Sequence, residues 1–187
     1  MLFNFERLKS VRFMRNKTSF SAINDQDKVM RETNPLDAVE FLAELHHLEF
    51  QRPENNEIYF IFHEGELFFE EGLQWLPNIE TLSYYCSFAI DVPQERQRNM
   101  VDLVSRLNAH LLTGHFDYIP GHEQVHFRYG LILQGGADLS NKQCETLLNM
   151  GPKICLRHFE TFTLVAKSDI DAKMAIRLTL LDTVGEA

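Results

Sequence analysis

Hydrophobic positions along the chain switch between a helical period and a strict alternation, and the switches mark the elements. Asn34-Pro35-Leu36-Asp37 opens a helix: asparagine caps, proline suits the first helical position, and aspartate suits the positive end of the dipole. Val39, Leu42, Ala43 and Leu45 form its expected buried stripe, running to about Leu48 before Pro53 and Asn55-Asn56 break the pattern. Two aromatic-rich runs, Ile58–His63 and Glu66–Trp75, read as a hairpin joined at Glu64-Gly65, with Phe62 opposite Leu67 and Phe60 opposite Phe69. After a turn at Pro77-Asn78, Thr81–Ile90 alternates: Leu82, Tyr84, Cys86, Phe88 and Ile90 on one side, Ser83, Tyr85 and Ser87 on the other. These three strands are expected to form an antiparallel meander.

A helix from Pro93 to about Leu112 follows, with Met100, Val104, Leu107 and Leu111 as its stripe and Gly114 to stop it. A second hairpin turns at Pro120-Gly121-His122 and sets Phe116 against Phe127, Tyr118 against Val125, and Asp117 against His126. Ser140 caps another helix, expected to kink or break at Gly151-Pro152. Ser168 or Asp169 begins a last one, to about Leu181. The order helix, three strands, helix, two strands, helices predicts an α+β fold with an antiparallel sheet of about five strands.

The first three strands are apolar on both sides. Tyr59, Ile61, Phe68 and Tyr85 lie opposite the face carrying Ile58, Phe60, Phe69 and Phe88. One layer of helices covers one face; the other must meet the remaining helices, a second subunit or a client peptide. Those four residues are the candidate partner-binding set.

Charge narrows the classes. A formal net charge of −9 argues against a general nucleic-acid binder, which needs cationic surface to neutralise phosphates. No run approaches the ~20 apolar residues of a membrane span. Three cysteines without a CxxC pair or zinc-finger spacing suit a reducing cytoplasm. Residues 1–20 carry Arg7, Lys9, Arg12, Arg15 and Lys17 against Glu6, interleaved with Leu2, Phe3, Phe5, Leu8, Val11, Phe13 and Met14. Residues 1–33 therefore read as a basic and polar extension, a mobile tail, with a membrane-surface contact through residues 1–17 as its alternative. Residues 34–187 read as the folded domain.

Candidate chemistry is sparse. His115, Asp117 and His126 fall on the polar face of the second hairpin, with His122 in the turn. Two imidazoles and a carboxylate there are a weak metal candidate, and the basis of an alternative reading as a metal-dependent or hydrolytic enzyme. An ordinary cross-strand pair on a solvated face explains the same residues, so no metal or other cofactor is expected. GxSxG, HExxH and GxxxxGK[ST] do not occur, and no catalytic set presents itself.

The ordered set Asn34-Pro35-Leu36, Trp75, Cys86, Phe88, Val92-Pro93, GHF at Gly114–Phe116, Phe127-Arg128, LILQGG at Leu131–Gly136 and DTVGEA at Asp182–Ala187 resembles the YbjN family of bacterial sensory-transduction regulators. The likeness spans about residues 34–187, and the basic N-terminal extension is unlike the short acidic leader expected of such proteins. The resemblance implies a fold similar to the small acidic chaperones of type III secretion, which commonly dimerise and hold partly unfolded clients. It brings no catalytic residues. The expectation is a non-enzymatic, cytoplasmic regulatory or chaperone-like domain, homodimeric, with an unknown protein client.

Overall fold

The computed structural model describes residues 33–184; the expectations for residues 1–32 lie outside that range. Helix α1, Pro35–Leu45, starts as its cap dictates, with Asn34 Oδ1 accepting from the Leu36 amide at 3.0 Å. Leu36, Val39, Leu42 and Ala43 are buried, but Leu45 is 60% exposed and the helix ends short of Leu48. The correction is geometric: at roughly 100° per residue, Leu45 falls about 180° from Leu36.

Strand β1, Phe50–Glu54, is an element the sequence reading treats as a break. It forms a sheet edge against β2, Glu57–Glu64, and its register shifts between Gln51 and Glu54. Pro53 sits within the shifted stretch, where an edge strand tolerates the missing N–H donor. The sheet therefore has six strands rather than about five.

Strand β3, Leu67–Leu76, returns antiparallel to β2. The turn lies at Gly65-Glu66 rather than Glu64-Gly65, so Phe62 faces Phe69 and Phe60 faces Glu71. Gly65 has φ +59, the region glycine enters without steric cost. Strand β4, Thr81–Ala89, pairs with β3 to complete the meander. Helix α2, Gln97–Asn108, crosses over to β5, His115–Tyr118, at the far edge, and β6, Gln124–Ile132, inserts between β4 and β5. The second hairpin keeps the expected register: Phe116 with Phe127, Asp117 with His126, Tyr118 with Val125. Asn108 fastens α2 to β5, its Oδ1 accepting from the Phe116 amide at 2.7 Å and its Nδ2 donating to the Phe116 carbonyl at 2.9 Å.

Helix α3, Asn141–Lys167, opens on a capping box between Ser140 and Gln143. It runs unbroken through Pro152, contrary to expectation. Packing supplies the reason: the bare Gly151 backbone rests on β4, where an added Cβ would lie 2.4 Å from Cys86 Cβ. Tertiary contact there outweighs the hydrogen bond that proline removes. Helix α4, Ala172–Val184, starts later than Ser168 or Asp169, because Ser168 ends α3 and Asp171 Oδ1 caps α4 by accepting from the Met174 amide at 2.7 Å.

Buried hydrophobic residues of the helices join one core with the inward side of the sheet: Ile58, Phe60, Phe69, Leu73, Leu82, Tyr84, Cys86, Phe88, Phe116, Val125 and Phe127. Phe88 and Phe116 both meet Phe162 of α3 edge-to-face, at centroid distances of 5.4 and 5.1 Å. The fold is α+β, with one helical layer on one side of an antiparallel sheet.

Candidate binding surface

The other side of the sheet carries no helix among the described residues. Alternation assigns to it Tyr59 and Ile61 of β2, Phe68, Glu70 and Gly72 of β3, Tyr85 of β4, and His126 and Arg128 of β6. Tyr59, Ile61, Phe68 and Tyr85 are all absent from the core cluster. The structure thus brings the four partner-binding candidates onto one open face.

Their roles differ. Tyr85 is only 6% exposed although no described helix covers it. It stands between Gly72 on β3 and Arg128 on β6, and its ring lies over the glycine, while His126 meets it edge-on at 6.0 Å. Tyr85 is the floor of the surface. Phe68, 36% exposed, and the half-buried Ile61 and Tyr59 rise around it. Ile132, on the same face at the end of β6, is 67% exposed. Lone exposed aliphatics are ordinary on proteins; several apolar side chains on a sheet face away from all the described helices are less so.

Carboxylates frame this apolar patch. Glu57 lies across β2 and β3, accepting from Tyr59 Oη at 2.6 Å and from Gln74 Nε2 at 2.8 Å. Burial, reinforced by that hydrogen bond to a carboxylate, raises the Tyr59 phenol well above its ordinary pKa. Glu70 pairs across β2 with Ile61. At the β1 edge a groove of about 450 Å³ opens between Glu49, Gln51, Tyr59 and Ile61. Sequence reasoning misses Glu57 and the groove, because β1 itself carries only one inward apolar residue. Gly72 inside an otherwise strong strand is the signal that is available: a strand glycine marks a close approach.

The metal candidate comes out differently. His115, Asp117 and His126 do share this face, with Asp117 opposite His126. Asp117 pairs instead with Arg128, at 3.1 Å. Burial first, then the nearby Arg128 charge, pushes His126 down to about 4. No group of three His, Cys, Asp or Glu among the described residues is arranged to hold a metal ion. None of the described helices is long and apolar enough to cross a membrane.

Comparison with known proteins decides the family. The sequence profile of YbjN, described as "Putative bacterial sensory transduction regulator", matches residues 35–164. The chain belongs to the YbjN family. Two solved structures are similar to this YbjN protein. "Crystal structure of YbjN, a putative transcription regulator from E. coli" is 13% identical, with 63% of this chain and 83% of that chain covered and a TM-score of 0.44. "Crystal Structure of the ExsC-ExsE Complex" is 14% identical, with 75% of this chain and 100% of that chain covered and a TM-score of 0.54. At such identity the second likeness is one of fold alone. No curated protein matches this sequence.

Proposed function

We propose that this YbjN protein is a non-enzymatic, chaperone-like regulatory domain of the cytoplasm that holds a protein client on the open face of its sheet. One observation carries the reading: every described helix packs on one side, and Tyr59, Ile61, Phe68 and Tyr85 share the other, where no described helix lies. The family description points to regulation. The ExsC–ExsE neighbour is a complex of two proteins on a similar fold, and a client-holding role is the analogy we draw from it. An apolar patch framed by acids favours a client segment that is itself apolar and basic. A homodimer belongs to the same reading.

The test is capture from native lysate by wild type against Ile61→Asp and Phe68→Asp. Both side chains lie outside the core, so melting temperatures are expected to stay close to wild type. A client retained by wild type and lost by both folded variants supports the proposal; equal capture by all three overturns it. Light scattering checks the dimer, whose expected mass is twice that of the 21.8 kDa chain.

A further inference from the structure

We propose that Cys86 on β4 and Cys155 on α3 are a redox pair, joined by hydrogen peroxide into a disulfide that ties α3 to the sheet. Both lie in the core, on the opposite side of the sheet from Tyr59, Ile61, Phe68 and Tyr85, so the inference stands apart from the proposed function.

Packing brings the two thiols together. Gly151 and Cys155 are about one helical turn apart and share a face of α3. Gly151 rests on Cys86, where an added Cβ would lie 2.4 Å from Cys86 Cβ. One turn on, Cys155 Sγ donates to the Cys86 carbonyl at 3.7 Å. The two thiols also share a hydrogen bond, which together with burial raises Cys86 well above its ordinary pKa. A disulfide needs Cβ atoms about 3.5–4.5 Å apart, and a helix seated on a bare glycine makes that approach. Cys144 is out of the pairing. It stands one long stretch of α3 before Cys155, roughly 16 Å along the axis, well past the ~7 Å Cα limit.

Both thiols are fully buried, so the reaction waits on a local opening. Helix α3 carries its own weak point. Pro152 has no N–H for the Leu148 carbonyl, and Gly151 beside it is a poor helix former. A turn that lifts there uncovers Cys155 first, because Cys155 rides on the helix while Cys86 stays in the sheet. Glu71, opposite Cys86 on β3, and the Tyr84 hydroxyl beside it give the site polar atoms. A small, uncharged oxidant such as hydrogen peroxide suits such a site; a bulky disulfide reagent does not.

The chemistry balances. Cys155 Sγ attacks one peroxide oxygen, the O–O bond breaks, and the departing hydroxide leaves as water with the thiol proton. A sulfenic acid remains. Cys86 Sγ then attacks that sulfur: the S–S bond forms, the S–O bond breaks, and the hydroxyl leaves as a second water with the Cys86 proton. Two electrons pass from the sulfurs to the peroxide. A dithiol reductant reverses the link by exchange. In a reducing compartment such a bond is transient and serves sensing. It joins positions 69 apart in sequence, removes freedom from the unfolded chain and holds α3 on β4.

The experiment treats the full native chain with hydrogen peroxide and maps its peptides by mass spectrometry without reduction. Met174, 48% exposed, supplies the internal standard, since its sulfoxide shows that the peroxide is active. The expected result is a chain lighter by two hydrogens for the link, with the Cys86 and Cys155 peptides joined and released by dithiothreitol. The linked chain is expected to melt about 5–10 °C higher than the reduced one. Met174 sulfoxide without the link overturns the inference. So does a link that includes Cys144, one that joins two chains, or one that forms only in urea. A linked chain that melts no higher overturns the tie between α3 and the sheet. Client capture that depends on Ile61 and Phe68 while the cysteines stay unlinked sinks this inference and leaves the proposed function standing.

Discussion

The ring of Tyr85 lies so close over Gly72 that a methyl group on the glycine would sit 2.4 Å from Tyr85 Cε1. The glycine makes room for the aromatic floor of the open face, and the ring in turn covers backbone that glycine leaves bare. Gly72→Ala is expected to destabilise by about 1–3 kcal/mol, the usual penalty for forcing a group into filled space. In a Tyr85→Ala background the same substitution is expected to cost far less. A double-mutant cycle in urea measures the coupling; equal costs in both backgrounds would show that the ring is not what requires the glycine.

Gly151 makes the corresponding contact on the covered side. A Cβ there would stand 1.9 Å from Tyr84 Oη and 2.4 Å from Cys86 Cβ. Gly151→Ala is therefore expected to cost about 3 kcal/mol or more, at the upper end for overpacking. Tyr84→Phe removes the hydroxyl and is expected to recover part of that loss when combined with Gly151→Ala. Urea midpoints at unchanged slope report it.

His126 sets one limb of the pH profile. Its imidazole is held down to about 4, by burial and then by the Arg128 charge, against an ordinary 6.5. The unfolded chain binds the proton more readily, so the stabilisation is full above pH 6.5 and drains away as pH falls toward 4. The contribution is about 3 kcal/mol. His126→Phe keeps the edge-on contact with Tyr85 and is expected to flatten this limb. An imidazole that titrates near its ordinary value by NMR would refute the assignment.

Glu71 sets the opposite limb. Alone among the acids of β3 it points into the core, 1% exposed, beside the Tyr84 hydroxyl. Burial pushes its carboxyl well above the ordinary 4.5, and the pull of Tyr84 in the other direction is smaller. The folded state therefore holds the proton more tightly. That stabilisation is complete below pH 4.5 and is lost as pH rises toward the folded value. Glu71→Gln is expected to remove the loss and to gain about 1–3 kcal/mol near neutrality, the scale of a buried group left unsatisfied. A falling limb that persists in the glutamine variant would assign it to another group.

Strand faces were legible along the chain because alternation has period two. The β2–β3 turn sits one residue later than Glu64-Gly65, and the pairing moves by two positions. Phe60 and Phe62 consequently stay on the core side, and Tyr59 and Ile61 on the other. Helix faces were less legible where a stripe runs to a terminus: Leu45 matches the apolar spacing and still turns outward. Strand β1 escaped because Pro53 and two polar neighbours give no periodic signal, and an edge strand needs none; its ladder hydrogen bonds come from β2.

Composition and periodicity alone settle that this chain builds an antiparallel sheet with apolar residues on both sides, since each side chain's face follows from its own position and its neighbours'. Which side receives the helices, how β6 comes to lie between β4 and β5, and whether α3 survives Pro152 are matters of long-range packing. Local propensity is nearly silent on such choices. Gly151 seated on Tyr84 and Cys86 commits α3 to one face, and Ile61 and Phe68 lie on the other, away from all the described helices.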